Sequence, residues 1–133
     1  MEFLNPKTWK PAKGDSNGVA AEGRQVFVAG QIGWDENARF HTDDFAAQAE
    51  QAMRNVAAVL AEAGAAPHHL VRLTWYVTDK REYLDSLGAV GAAYRAVFGR
   101  HYPAMTLVQV AGLVEDRAKV EIEATAVLPR EKT

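Results

Sequence analysis

Apolar and polar residues alternate at a spacing of two through two stretches of the last third of the chain, His101 to Leu113 and Ala118 to Leu128, and this periodicity predicts a strand in each. The break between them, Val114 to Arg117, is short and polar, so the two are expected to form a hairpin. In the second strand Val120, Ile122, Ala124 and Ala126 take one face, and Glu121, Glu123, Thr125 and Val127 take the other. Two carboxylates therefore point the same way beside apolar neighbours. If that face is covered, each must be paired, hydrogen-bonded or shifted in pKa. In the first strand Met105, Leu107, Gln109, Ala111 and Leu113 alternate with Thr106, Val108, Val110 and Gly112, and neither face suits water. Something must cover both.

The remaining elements follow from the same kind of pattern. Residues Met1 to Asn17 are polar, with Pro6 and Pro11 limiting helix and strand, and the GDSNG segment from Gly14 to Gly18 signals a turn. Val19 to Glu22 and Gln25 to Gln31 read as a hairpin through Glu22, Gly23 and Arg24, its second arm ending at Gly30, where backbone can approach closely. Gly33 to His41, with Trp34, Asp35, Asn37 and Arg39, is expected to be an exposed turn lying against a pocket or a partner. From Asp44 to Ala63 the spacing of Phe45, Ala49, Ala52, Val56 and Leu60 predicts a helix, capped by Thr42 or Asp43 and closed by Gly64. Leu70 to Val77 reads as a strand with Val71, Leu73, Trp75 and Val77 on one face and Leu70, Arg72, Thr74 and Tyr76 on the other. Arg81 to Phe98 reads as a second helix with Tyr83, Leu87, Val90, Tyr94 and Val97 as its apolar stripe and Gly99 as its close. Gly88 and Gly91 inside it are expected to mark tight helix–sheet packing, ahead of a role in admitting a ligand.

The order is strand, strand, helix, strand, helix, strand, strand. This is an α+β chain, a two-layer α/β sandwich in which two helices cover one face of a mixed sheet. The other sheet face still carries apolar residues, and a bare face is too large a patch for a monomer. Association as a closed trimer or dimer would bury it and place pockets between subunits.

Composition narrows the function. The 133 residues make one domain (1–133), with 48% apolar and 24% charged residues, an ordinary globular mix. A formal net charge of −2 provides no electrostatic footprint for nucleic acid, and none is expected as a partner. There are no cysteines, which excludes disulfides, thiolate nucleophiles and thiolate-bound metals. No stretch approaches the roughly 20 apolar residues of a membrane span, so a soluble cytoplasmic protein without a membrane partner is expected.

Glu121 is the first candidate for chemistry: anchored between Val120 and Ile122, its carboxylate could position and partly deprotonate a water. The alternative is a salt-bridged or solvent-facing glutamate, and Glu123 is assigned that structural part. His41, His68, His69 and His101 match no close metal-ligand spacing, and neither GxGxxG nor GxxxxGK[ST] occurs, so no metal and no cofactor is expected. Trp34, Trp75 and Tyr102 could stack on a planar ligand, although aromatic residues more often serve packing. Arg72 could meet Glu121 or Glu123 across neighbouring strands.

With these residues in view the sequence resembles the Rid (YjgF-like) family, once called the L-PSP endoribonuclease group. The resemblance runs through VFVAGQIGW at Val26 to Trp34, the Gln48 and Asn55 helix pattern, LVRLTWYV, AAYRAVFG, YPAMTLVQVAGL and VEIEATAV, and so spans nearly the whole chain. It implies a chorismate-mutase-like fold and a homotrimer with clefts between subunits. It further implies hydrolysis of reactive imines or enamines to 2-oxo acids and ammonia, with a glutamate matching Glu121 placing the water and the Gly30 segment offering backbone contacts. In the family pattern an arginine that holds the substrate carboxylate matches Met105, a pocket cysteine matches Leu107 and a helix asparagine matches Gly91. The family's N-terminal pocket tyrosine has no counterpart here; Asp15, Ser16 and Asn17 stand near its place. Methionine has no charge and no donor fork for a carboxylate.

Two functions are therefore carried forward. One is a deaminase-type hydrolase acting on an imine, enamine or related carbon–nitrogen small molecule. In it Glu121 orients water, Asp15, Ser16, Asn17, Gly30, Trp34 and Gly91 contribute to the substrate site, and Met105 with Leu107 forms an apolar wall. The other is a non-catalytic trimer that binds a small molecule in the same cleft. Ribonuclease activity, which only the old family label suggests, ranks below both.

Overall fold

Strand β6, Val120–Leu128, lies inside the sheet, and its alternation of buried and half-buried positions follows the sequence pattern: Val120, Ile122, Ala124 and Ala126 are buried, while Glu121, Glu123 and Thr125 are half-buried on the other face. This computed structural model describes residues 1–130. The other main strands are β3 (Arg24–Ile32), β4 (Leu70–Val77) and β5 (Ala104–Gln109), and the sheet order is β3-β6-β4-β5. β6 runs antiparallel to both of its neighbours, and β4 and β5 are parallel.

That order overturns the expected C-terminal hairpin. β5 and β6 are not neighbours, because β4 lies between them and the 110–119 segment carries the chain past it. Alternation reports which residues face the core, not which strand lies alongside. The expected N-terminal hairpin also fails. A two-stranded ribbon pairs β1 (Glu2–Leu4) with β2 (Gly18–Ala20), and the chain turns away at Gly23, with φ near 146°, to place β3 against β6.

Helix α1 (Phe45–Glu62) packs its buried stripe, Phe45, Ala49, Ala52, Met53, Val56 and Leu60, over β3 and β6. Its cap is Asp44, whose carboxylate accepts the Ala47 N–H at 2.9 Å, while the expected cap Thr42 receives the Asp44 N–H instead. The predicted second helix is two, α2 (Lys80–Leu84) and α3 (Leu87–Phe98), so three helices cover one face of the sheet. The break falls at Asp85 and Ser86, residues whose short polar side chains compete with helical backbone bonding. Only α3 carries the buried positions Val90, Ala93, Tyr94 and Phe98, and Leu87 is exposed. The β4 faces differ from expectation at one end, since a register shift between Leu70 and Arg72 turns Leu70 into the core beside Leu73.

The opposite sheet face is bare in the single chain: Phe27 is 71% exposed and Val108 41%. Among the described residues no helix is long and apolar enough to cross a membrane.

Candidate functional site

Gly30 and Glu121 meet on this bare face. The β3–β6 register slips between Val28 and Gln31, and the displaced Ala29–Gly30 segment lies alongside Glu121. A Cβ on Gly30 would come within 2.7 Å of the Glu121 Cδ and Oε2, so the carboxylate rests in space that only glycine leaves open. Among the described residues Glu121 makes no ion pair. Its neighbour Glu123 is taken up by Tyr76, whose hydroxyl donates to Oε1 at 2.5 Å and whose phenol is pushed above its usual range by that bond. Arg72 is exposed and pairs with neither glutamate.

Two amides of α1 hold this corner in register. Asn55 Nδ2 donates to the carbonyls of Ile32 and Trp34 at 3.0 and 2.8 Å. Gln48, fully buried, donates to the carbonyls of Thr42 and Arg117 and accepts the Lys119 N–H. The end of β3 and the start of β6 are thereby tied to one helix. These are the two amides of the Gln48 and Asn55 pattern that carries part of the family resemblance, a polar pair seven apart on an otherwise apolar helix face.

On the helix side of the sheet lies a second feature, a cleft of about 360 Å³ between β4, β5 and α3. Met105 and Gly91 line it, together with Trp75, Tyr83, Tyr94 and Tyr102, and Lys13 and Arg95 also border it. Gly91 thus faces the cleft, and Gly88 faces open space, so neither marks the tight helix–sheet packing expected of it. Tyr94 donates to the His101 carbonyl at 2.5 Å and stacks on Tyr102 at 5.4 Å, with burial pushing its phenol well up. Burial, and then the nearby Asp15 carboxylate, raises the Tyr83 phenol. Leu107 pairs with Trp75 in register and packs on the core beside the cleft.

The N-terminal candidates divide. Ser16 is buried and acts as a clasp, its hydroxyl donating to the Tyr102 carbonyl at 2.7 Å and its N–H to the Pro103 carbonyl at 3.1 Å. Asp15, next to it, is half-buried and close enough to act on Tyr83. Asn17 bonds Asn5 through both its N–H and its amide, and borders a depression at the β5 edge with Arg72, Met105 and Thr106. Trp34 stands elsewhere, against Phe40 with ring centroids 5.8 Å apart, in a turn held by Asp35, whose carboxylate is kept below its usual range first by the His41 hydrogen bond. Among the described residues no three of His, Asp and Glu are placed to hold a metal.

The candidates therefore fall into two groups. Met105 pairs with Leu73, a core-facing residue, while Glu121 pairs with Tyr76 on the bare face. Gly30 with Glu121 and Gly91 with Met105 lie on opposite faces of the sheet. One chain alone does not bring the acid to the cleft.

Residues 8–128 match the family model described as Endoribonuclease L-PSP. The 2-iminobutanoate/2-iminopropanoate deaminase of Salmonella typhimurium is 38% identical over 108 residues, covering 79% of this chain and 80% of its own. The RutC family protein UK114 of Drosophila melanogaster is 34% identical, covering 88% of this chain and 81% of its own. A solved structure of the Rid family, YyfB from Yersinia pestis, superposes with a TM-score of 0.85 at 34% identity over 96% of this chain and 98% of that one. The fold is the chorismate-mutase-like fold of these relatives, and the chain belongs to the endoribonuclease L-PSP family, the group that contains the Rid (YjgF-like) proteins.

Proposed function

We propose that this protein is a Rid-type deaminase that hydrolyses an imine, or the enamine in equilibrium with it, to the carbonyl compound and ammonia. The observation that carries it is the seat of Glu121. Its carboxylate lies against the Gly30 backbone on an uncovered sheet face and is engaged in no ion pair among the described residues, so it is free to accept a proton from water. Water adds to the C=N carbon as its proton passes to Glu121, which hands it on to the nitrogen, and in the collapse the hydroxyl proton passes to the departing nitrogen. Collapse of the resulting amino alcohol expels ammonia and leaves C=O. Nothing is oxidised or reduced, and no cofactor is needed. The Gly30 segment offers main-chain groups beside the reacting atoms.

Completion of the site falls to a second copy. A neighbour that applies its bare face to the β5 edge would carry its Glu121 to the cleft bordered by Met105 and Gly91, and three such contacts close a ring. The same contact would bury Phe27 and Val108, whose exposure otherwise has no compensation. Relatives named as iminobutanoate and iminopropanoate deaminases support the reaction class.

The test is ammonia release from imines generated in situ, beyond the spontaneous rate. Wild-type protein is expected to saturate, and Glu121→Gln to lose at least about 100-fold, in the range of a lost general base. Unchanged release by Glu121→Gln would sink the assignment. Met105 favours a second reading, a trimer that binds without turning over, because the cleft lacks the cationic fork of a carboxylate site on that strand. Saturable binding of imines, with or without an α-carboxylate, and no release above background would establish that reading instead.

A further inference from the structure

Two carboxylates and one phenol hydroxyl meet on the bare face. Tyr76 of β4 stands directly opposite Glu121 in the β4–β6 register, and Thr74 stands opposite Glu123. Residues opposite each other across an antiparallel pair share a sheet face, and the diagonal neighbour lies within reach of an aromatic side chain. The Tyr76 hydroxyl takes the diagonal and donates to Glu123 Oε1 at 2.5 Å, although the Glu121 carboxylate is near enough for its charge to act on the phenol. Glu121 turns the other way, with Cγ, Cδ and Oε2 all within 2.8 Å of where a Gly30 Cβ would stand. Among the described residues Arg72, on the same β4 face, pairs with neither acid, so the phenol is the donor that holds Glu123.

A phenol bound to Glu121 instead would oppose hydrolysis in two ways. It would stabilise the ionised carboxylate and so weaken it as a base, and it would draw the side chain off its seat at Gly30 towards β4. Resting on the base role given to Glu121, we propose that Glu123 is a positioning residue for the hydrolysis: it engages the Tyr76 hydroxyl and so leaves Glu121 unbound against Gly30, free to take a proton from water. Glu123 acts through Tyr76 and Glu121 and not on the substrate. Two like acids on one strand face thereby receive unlike tasks, one accepting a fixed hydroxyl and the other a mobile proton.

Ammonia release and the carboxyl resonance of Glu121, read by NMR on the full chain carrying 13C-labelled glutamate, test this division. Glu123→Leu frees the phenol and is expected to lower kcat by about tenfold or more, the scale of one hydrogen bond to a charged group, with KM within about twofold. Glu123→Gln keeps an oxygen that accepts the phenol, and kcat should stay within about threefold of wild type. Tyr76→Phe has no hydroxyl to misdirect and should also stay near wild type. The double variant Tyr76→Phe/Glu123→Leu is the deciding one, because removing the freed hydroxyl should restore most of the lost kcat, whereas a merely structural part for Glu123 would not be rescued. The Glu121 resonance should move in Glu123→Leu and return in the double variant. Wild-type kcat in Glu123→Leu, a double variant no better than Glu123→Leu, or a tenfold loss in Tyr76→Phe overturns the inference. If the wild type releases no ammonia, the hydrolase is removed, and the Glu121 resonance alone upholds or overturns the division of the two acids.

Discussion

The Glu121 carboxylate occupies the volume that a side chain at Gly30 would need, with Cδ, Oε2 and Cγ all within 2.8 Å of where a Cβ would stand. Gly33 meets a different obstacle, the Cα, Cβ and carbonyl oxygen of Gln48 within 2.8 Å. The same substitution should therefore have opposite signatures at the two positions. Gly30→Ala displaces a flexible acid end on a bare face and is expected to cut imine turnover by about tenfold or more, with a melting temperature close to wild type. Gly33→Ala pushes on helix backbone and is expected to cost about 1 to 3 kcal/mol of stability, the usual scale of overpacking. Paired melting curves and ammonia assays read the contrast.

Gln48 satisfies three main-chain groups from a fully buried position. Gln48→Leu keeps much of the volume and abandons all three. The loss is expected to be about 3 kcal/mol or more in urea unfolding, since each buried group left unmet costs roughly 1 to 3 kcal/mol. A loss below about 1 kcal/mol would mean that water replaces the amide.

Acid should loosen the turn that leads into β4. His69 Nδ1 accepts the Ala66 N–H at 3.0 Å, and burial first, then the neighbouring His68 and His101, holds its imidazole below the ordinary 6.5. A proton on that nitrogen removes the acceptor. Because the folded pKa is depressed, the unfolded chain binds the proton more readily, so this stability is present above pH 6.5 and is lost as pH falls through the folded value. Melting temperature is expected to fall between pH 7 and pH 5, with a shallower slope in His69→Gln. Identical slopes would remove His69 as the source.

Met105→Arg would put a guanidinium on β5 at the cleft, opposite Gly91 and Arg95. Turnover of small 2-imino acids is expected to rise about tenfold or more, the scale of one charge-assisted bond. Substrates with bulky side chains should gain less, because the arginine takes part of the space they would fill. The ratio of kcat/KM for the two substrate classes, before and after substitution, is the measurement.

Faces were legible in the chain and neighbours were not. The split between Ile122 and Glu121 follows from alternation, which depends only on local geometry. The pairing of β6 with β3 and β4 depends on contacts across the whole chain, and no turn signal encodes it. That one error hid the division of the candidate site, since a β5–β6 hairpin would have set Met105 and Glu121 on adjacent strands. Gly91 was misread for a related reason: helical spacing assigns a residue to a face, but whether that face meets sheet or opening depends on where α3 lies. The Gly30–Glu121 contact was within reach, since a glycine at the end of an apolar strand marks close approach and the family pattern names both residues. Trp75 was legible as an aromatic that could meet a ligand, but its indole Nε1, buried without a hydrogen-bond partner among the described residues, required the packing around it.

The strand that joins β3 to β4 in the sheet is also the last made of the described strands. Until β6 has left the ribosome, β3 has no partner in the main sheet and one side of β4 lies unpaired, each a template for sticking to other nascent chains. A chain in which β6 is displaced or fails to dock is therefore expected to aggregate through the exposed edges of β3 and β4.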